Sequence, residues 1–341
     1  MDFTRDALHL DAEATADRLT GWIRTELRHR LRRGGAVVGL SGGIDSAVIA
    51  ALCVRAVGAE RVLGVALPET ESESLSEKLA RELADGLGIE LVCQEISAGL
   101  AGLGCYEKRN EAIRQVFPDF EEEWSAKITN PGSILDKETF NYFTLTVAPP
   151  GGEPQTRRLP LEAYLQIVAA SNLKQRLRMT SLYYHAESRN RAVIGTAHRD
   201  DFGQGFFVKY GDGGADLHPI IRLVKTQVFQ LAEYLGVPAG IRHRAPTTDT
   251  YSADVSQEEF YFGLDFERMD LITWGMETGV PARAVAETLD LETAQVERAW
   301  MNIQRKRRAT EYIRDLPSAP VGEGEPCALD PVLAAPAALE N

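Results

Sequence analysis

Apolar positions follow two rhythms along the first hundred residues. Short apolar runs at 36–40 and 61–67, and a further strand at 90–96, are separated by stretches where apolar residues recur every three or four positions. Runs without alternation predict strands buried on both faces, and the three-and-four spacing predicts amphipathic helices. One helix carries Leu19, Trp22, Ile23, Leu27 and Leu31 and stops at Gly34-Gly35; its arginines 24, 28, 30, 32 and 33 read as a solvated face. A second carries Val48, Leu52 and the run 54–56. A third carries Leu75, Leu79, Leu83 and Leu87, with Ser74 and Glu77 as a capping box and Gly88 as its stop.

Residues 98–160 break this rhythm with an acidic run at 119–123, a turn at Asn130-Pro131-Gly132, an alternating stretch at 140–147 and a Pro/Gly loop at 149–154. The segment reads either as a surface excursion with a β-hairpin or as a lid facing a substrate. Helical spacing resumes at Leu161 and holds through 172–190. There Arg176 and Arg178, one residue apart, cannot share a helix face, which leaves one of them for an anion. A strand at 192–194 runs into a loop rich in Gly and Asp that also carries His198, Lys209 and His218. It is either a decorated surface loop or a contact for phosphate, metal or sugar. Lys225 opens a helix to 235; the helix dipole disfavours a cation there, so an anionic neighbour is expected. Helices follow at 265–276, 281–289 and 292–313, the last with Arg305-Lys306-Arg307-Arg308, either a solvated face or a phosphate clamp. The alternation of strands and helices predicts an α/β fold, a doubly wound parallel sheet with flanking helices, with a helical C-terminal part and an insertion at about 98–160. Residues 1–314 form the folded unit, and the Pro/Ala-rich 315–341 is expected to be a disordered tail.

The first strand ends in Ser41-Gly42-Gly43, and a helix restarts at once. Backbone N–H groups of such a turn converge on one point at a positive helix end, which suits a phosphate or pyrophosphate. The loop lacks the GxxxxGK[ST] lysine and the GxGxxG spacing. Asp45 opens the helix. It reads as a Mg²⁺ ligand, since a carboxylate beside polyphosphate needs a cation between them, or as a plain cap. With 50 acidic against 37 basic residues the net charge is −13, which disfavours nucleic acid as a partner. The four cysteines form no CxxC pair, and Cys53 and Cys93 read as reduced core thiols. No apolar run spans a membrane and no signal peptide opens the chain, so a soluble, cytoplasmic protein is expected.

Ser41-Gly42-Gly43-Ile44-Asp45-Ser46 is similar to the SGGxDS loop of the N-type ATP pyrophosphatases, which cleave ATP between its α and β phosphates. Further matches run in family order over 36–310: Asn172 with 176–179, Gly195-Thr196, 205–207, 209–216, 225–227, Pro246-Thr247 and Lys306-Arg307. Together they resemble the ammonia-dependent NAD synthetases. The resemblance implies that Gly39, Leu40, Ser41, Gly42, Gly43, Ile44, Asp45, Ser46, Thr196, Lys225 and Thr247 hold ATP. It implies further that Asp45 and Asp201 bind Mg²⁺, that Asp45 and Lys225 are catalytic, and that Arg176, Lys209, Asp216, Arg305 and Lys306 contact deamido-NAD.

The implied chemistry activates a carboxylate that repels ammonia and has no leaving group. Attack on the α-phosphorus makes an acyl-adenylate and expels pyrophosphate; ammonia then displaces AMP. With no room in these residues for a nitrilase-like glutaminase domain, ammonia, or a separate glutaminase, is expected to supply nitrogen, and the resemblance implies a homodimer. Three departures stand out: the long excursion, Asp201 where the family has Glu, and Arg305 where it has His or Tyr. Asp is one methylene shorter than Glu, so Asp201 is expected to reach a metal through water, or Asp200 to replace it. Rival readings are amidation of a different carboxylate, RNA modification and nucleotide sensing. The first has no reason to keep Arg176, Lys209 and Asp216 together, the second wants a basic surface, and the third needs neither Asp45 nor Lys225.

Overall fold

The computed structural model describes residues 3–130, 133–135, 143–247, 252–253 and 256–317. Four parallel strands, β1 (Ala36–Gly39), β2 (Val62–Ala66), β3 (Glu90–Cys93) and β7 (Ala192–Ile194), lie in the order β3-β2-β1-β7. Ala36 pairs with Val62 on one side and Ala192 on the other. Strands β1, β2 and β7 are apolar because both faces are covered, whereas β3, on the edge of the sheet, carries the exposed Glu90. Ala36, Val38, Val62 and Ala66 face a cluster built from α1 (Ala12–Thr25), α2 (Ile44–Val57), α3 (Ser74–Leu87), α8 (Lys225–Tyr234) and α9 (Ala239–Arg242). Val37, Leu63, Val65 and Val193 face α4 (Ser97–Gly102) and α6 (Leu161–Glu187). The chain runs outward from β1 to β3 and returns on the other side of β1 as β7. The switch point, where such sheets open a crevice, therefore lies at the carboxyl end of β1.

Residues 98–160 hold more than a hairpin. Helix α5 (Cys105–Arg114) precedes a three-stranded antiparallel sheet of β4 (Ser125–Thr129), β5 (Thr144–Ala148) and β6 (Gln155–Arg158). Strand β6 is exposed at all its positions, so it has no apolar period to read. Ile113, Phe117, Phe120, Ile128, Leu145 and Val147 form a second core together with Ala163 and Ile167 of α6. The segment is also bolted to the main body. Lys174 of α6, fully buried, donates to Glu69 Oε1 (2.8 Å) and Glu71 Oε2, Arg109 of α5 pairs with Glu71, and Tyr106 Oη donates to Glu69 Oε2 (2.7 Å). It thus supports the core as well as covering it, contrary to a pure cover.

The C-terminal part packs α10 (Phe266–Thr278), α11 (Ala282–Leu289) and α12 (Thr293–Ala309) around Met269, Ile272, Val285 and Ile303, followed by α13 (Glu311–Arg314). A short α7 (Arg199–Gln204) follows β7. Other local expectations need correction. The N-cap of α3 is Glu73 rather than Ser74, with no side-chain cap, and Glu77 pairs with Arg81 instead. Cys93 is exposed on the edge strand, while Cys53 and Cys105 are buried thiols. The turn at 131–132, the stretch 140–142, Thr248-Asp249 and the tail from 318 lie outside the described residues. Among the described residues no helix is long and apolar enough to cross a membrane.

Candidate active site

At the carboxyl ends of β1, β2 and β7 opens a cavity of about 740 Å³. Gly39, Leu40, Ser41, Gly43, Ile44, Asp45 and Ser46 form one wall, with Thr196, Lys225 and Thr247 around it. Gly42 turns the chain with φ +71°; a Cβ there would lie 2.6 Å from Ser76 O, so only glycine fits. Gly43 caps α2 without a side-chain hydrogen bond, leaving the first-turn N–H groups without a side-chain acceptor from the cap.

The anionic neighbour expected for Lys225 is Asp45. The buried Lys225 Nζ lies 2.8 and 2.6 Å from the two Asp45 oxygens, and the cation also faces the Phe266 ring at 5.4 Å. Asp270 of α10 accepts from Thr226 N at 2.7 Å, the cap that Val224, the N-cap residue, has no oxygen to supply. This fixes where Lys225 starts its helix.

Asp201 borders the cavity; Asp200, next to it, does not. Burial, with the Asp45 charge adding, pushes Asp201 up to about 6 against the pull of His198 and Lys225. Its Oδ2 lies 3.2 Å from His198 Nε2, and its Oδ1 has no hydrogen-bond partner among the described residues. Asp200 belongs to a deeper layer with Asp270. Burial and the Asp200 charge push Asp270 well above the carboxylate range, whereas His198 holds Asp200 low despite its burial. Asp200 is therefore not placed to stand in for Asp201.

The other wall is less as expected. Arg176 and Arg178 both border the cavity, which lies along the flank of α6 between their faces. Arg176 donates to Lys209 O (3.3 Å) and Arg178 to Leu67 O (3.3 Å). Lys209 borders it too, but its Nζ donates to Tyr312 O and Asp315 O at 2.8 and 2.9 Å, tying the Gly-rich loop to the C-terminal helices. Asp216, Arg305 and Lys306 are not in the wall. Asp216 Oδ2 accepts from Val193 N (2.8 Å) and its Oδ1 from Tyr183 Oη, extending the edge of β7. Lys306 sits one layer back, donating to Tyr261 O (2.5 Å) with its ammonium 4.6 Å from the Tyr261 ring, and Arg305 is exposed on α12. Burial lowers Lys306 to about 7.

Several wall residues were not singled out in the sequence. Phe143, brought by the antiparallel sheet, stacks on Tyr164 at 4.4 Å and 11°, and Phe260 and Tyr261 continue this aromatic end around Phe206 of the matched 205–207 piece. Arg244 stands beside the Gly turn, one residue before the Ala-Pro-Thr that carries Thr247. Adjacency to that motif was the available signal.

A parallel sheet with an uncapped Gly turn at its switch point, a buried lysine and two carboxylates beside it have the make-up of a phosphate-binding site of an α/β protein. The NAD synthase family profile matches residues 15–114 and 155–317. The NH(3)-dependent NAD(+) synthetase of Mesorhizobium japonicum is 47% identical over 318 residues, 93% of this chain and 99% of that one. That of Rhizobium rhizogenes is 46% identical over 312 residues, 92% and 94%. Among solved structures, an NMN synthetase from Francisella tularensis superposes with a TM-score of 0.58 at 25% identity, covering 91% of this chain and 99% of that one. An NH3-dependent NAD synthetase from Campylobacter jejuni shares the fold, with a TM-score of 0.58 at 20% identity, 92% and 100% covered. The chain belongs to the NAD synthase family, a family of carbon–nitrogen ligases.

Proposed function

We propose that the protein converts deamido-NAD to NAD with ATP and ammonia, by way of an acyl-adenylate, releasing AMP and pyrophosphate. The observation that carries this reading is the uncapped turn whose Ser41 and Gly43, on either side of Gly42, face the same cavity as the Lys225–Asp45 pair. Amides at a helix end receive the leaving pyrophosphate, and Lys225 offsets the charge that builds when polyanion and carboxylate meet. Thr196 and Thr247 hold the rest of ATP. No side-chain nucleophile is needed, since the substrate carboxylate itself attacks phosphorus.

Asp45 and Asp201 are the residues that would hold Mg²⁺. Both are hard oxygen donors, and Asp201 keeps one oxygen without a partner among the described residues. Among the described residues no group of three or more His, Cys, Asp or Glu gathers for a metal, so phosphate oxygens and water would complete the shell. A bound Mg²⁺ neutralises phosphate charge.

Arg176 and Lys209 face the dinucleotide. Asp216 and Lys306 act from behind the wall, by fixing the edge of β7 and the Tyr261 backbone. A homodimer is supported by exposed apolar side chains along α6, with Leu161, Leu165 and Tyr184 at 71%, 56% and 66% exposure. The nitrogen comes as free ammonia or from a separate glutaminase.

The likeness to an NMN synthetase favours one second reading, a mononucleotide carboxylate as substrate. One experiment separates them: incubate the protein with ATP, Mg²⁺, ammonium and either deamido-NAD or nicotinic acid mononucleotide, and resolve products chromatographically. NAD and AMP in equal amounts are expected from the dinucleotide. ADP as the stoichiometric product would overturn the reading, and preference for the mononucleotide would replace its substrate.

A further inference from the structure

The Gly turn has a cation on each flank. Lys225 stands on one side, already held by Asp45. On the other is Arg244, with its side chain 13% exposed. Arg244 Nη1 donates to Gly42 O at 3.4 Å, and Nη2 donates to Ser76 Oγ at 3.0 Å and to Glu73 Oε2 at 2.6 Å. The guanidinium packs on the turn itself, since a Cβ on Gly42 would lie 3.2 Å from Nη1. Helices α2 and α3 both begin here, and neither N-cap, Gly43 or Glu73, supplies a side-chain hydrogen bond. The positive ends of two helices and one guanidinium thus border the same part of the cavity, which Glu73 and Ser76 also line.

We propose that Arg244 is a second cationic ligand of the leaving pyrophosphate, and that Glu73 is its resting partner, exchanged when the polyphosphate is bound. The proposal rests on the reaction given above. As the substrate carboxylate oxygen bonds to the α-phosphorus, the bond to the bridging oxygen breaks and its electron pair leaves with pyrophosphate. Arg244 donates N–H bonds to those oxygens, with no proton transferred. A guanidinium forks onto phosphate as it does onto carboxylate, and the polyphosphate carries more charge than Glu73. Glu73 is 46% exposed, so water receives the carboxylate when the arginine leaves it. This supplies the positive charge that the loop gives up by lacking a lysine of its own.

The alternative is a strap that merely ties α3 to the Gly turn. The two differ in the sign of paired substitutions. Mg-pyrophosphate binding to the full-length protein is measured by calorimetry, and product inhibition by pyrophosphate and by AMP is measured in the NAD-forming assay. Arg244→Met is expected to weaken pyrophosphate in both by ~10-fold or more and to lower kcat/KM for ATP by ~10²-fold, with AMP inhibition unchanged. Arg244→Lys should recover part of the pyrophosphate affinity, and Glu73→Gln, which releases the guanidinium, should tighten it. Unchanged pyrophosphate binding in Arg244→Met, or a loss in Glu73→Gln like that in Arg244→Met, overturns the proposal. Should Arg244→Met not fold, Arg244→Lys and Glu73→Gln decide by the same signs. Absence of NAD formation by the unaltered protein would defeat the reaction instead, leaving the calorimetric comparison to test Arg244.

Discussion

Replacing Lys174 by methionine tests how the antiparallel segment is fastened to the parallel sheet. The ammonium is fully buried and contacts both Glu69 and Glu71. Methionine keeps the length of the side chain, so packing changes little and the loss is electrostatic. Glu69, itself buried, is left with Tyr106 Oη and the Glu71 N–H, and Glu71 with Arg109. Breaking a buried pair from one side costs about 3–5 kcal/mol. The pH dependence carries a signature. Despite the burial that opposes it, Lys174 holds the Glu69 carboxyl below its ordinary value. The stabilisation from Glu69 is therefore complete above pH 4.5 and is lost as pH falls through the folded value. Without the ammonium, burial raises that carboxyl, and the sign inverts: the variant loses stability as pH rises through the new value. The cost of Lys174→Met should then be largest near pH 7 and shrink toward pH 4.5. Urea unfolding followed by tryptophan fluorescence at several pH values measures it, with Lys174→Met/Glu69→Gln expected to recover part of the loss. A cost below about 1 kcal/mol at pH 7, or one that grows on acidification, would refute the reasoning.

Lys225→Ala should lower turnover by roughly 10²–10³ while the protein remains folded by circular dichroism, the size of losing one charge-stabilising donor; an unchanged rate would remove Lys225 from the chemistry. Asp201→Asn should raise the Mg²⁺ concentration needed for half-maximal rate while nucleotide affinity is largely kept. Asp45→Asn should be far more damaging. Asp200→Asn, sitting behind the wall, should lower the melting temperature and leave the Mg²⁺ requirement alone; the reverse pattern in titrations of the two variants would reassign the metal site.

What could be read from the sequence depended on how completely each face of an element is buried. Strands β1, β2 and β7 are buried throughout or nearly so, and their apolar runs placed the central sheet and, through Ser41 to Ser46, the end of it that matters. Strand β6 is polar at every position because it lies exposed on an edge, so its sheet read as a hairpin. The two α6 arginines misled for another reason. Spacing on a helix fixes directions, but a cavity running along its flank meets two of them. Asp216 and Lys306 matched a family pattern that holds positions, whereas the side-chain partner at each position is set by tertiary contacts. Arg244 was one of 37 basic residues; its place just before Ala245-Pro246-Thr247 was the one signal in the sequence, and its contacts with Gly42 O, Ser76 and Glu73 come only from the fold.

Helix α6 has 27 residues, a rod of about 40 Å. Its first turns are embedded in one core through Ala163 and Ile167, its last turns in the other through Leu182 and Ala186, and its middle borders the cavity. A rod clamped at both ends does not bow in the centre. Accommodation of a ligand must come from the segments facing it, the loop after β2 and the Gly-rich loop after β7. In hydrogen exchange, amides of α6 should stay slow whether or not nucleotide is present, and the protection gained on binding should fall on those two loops.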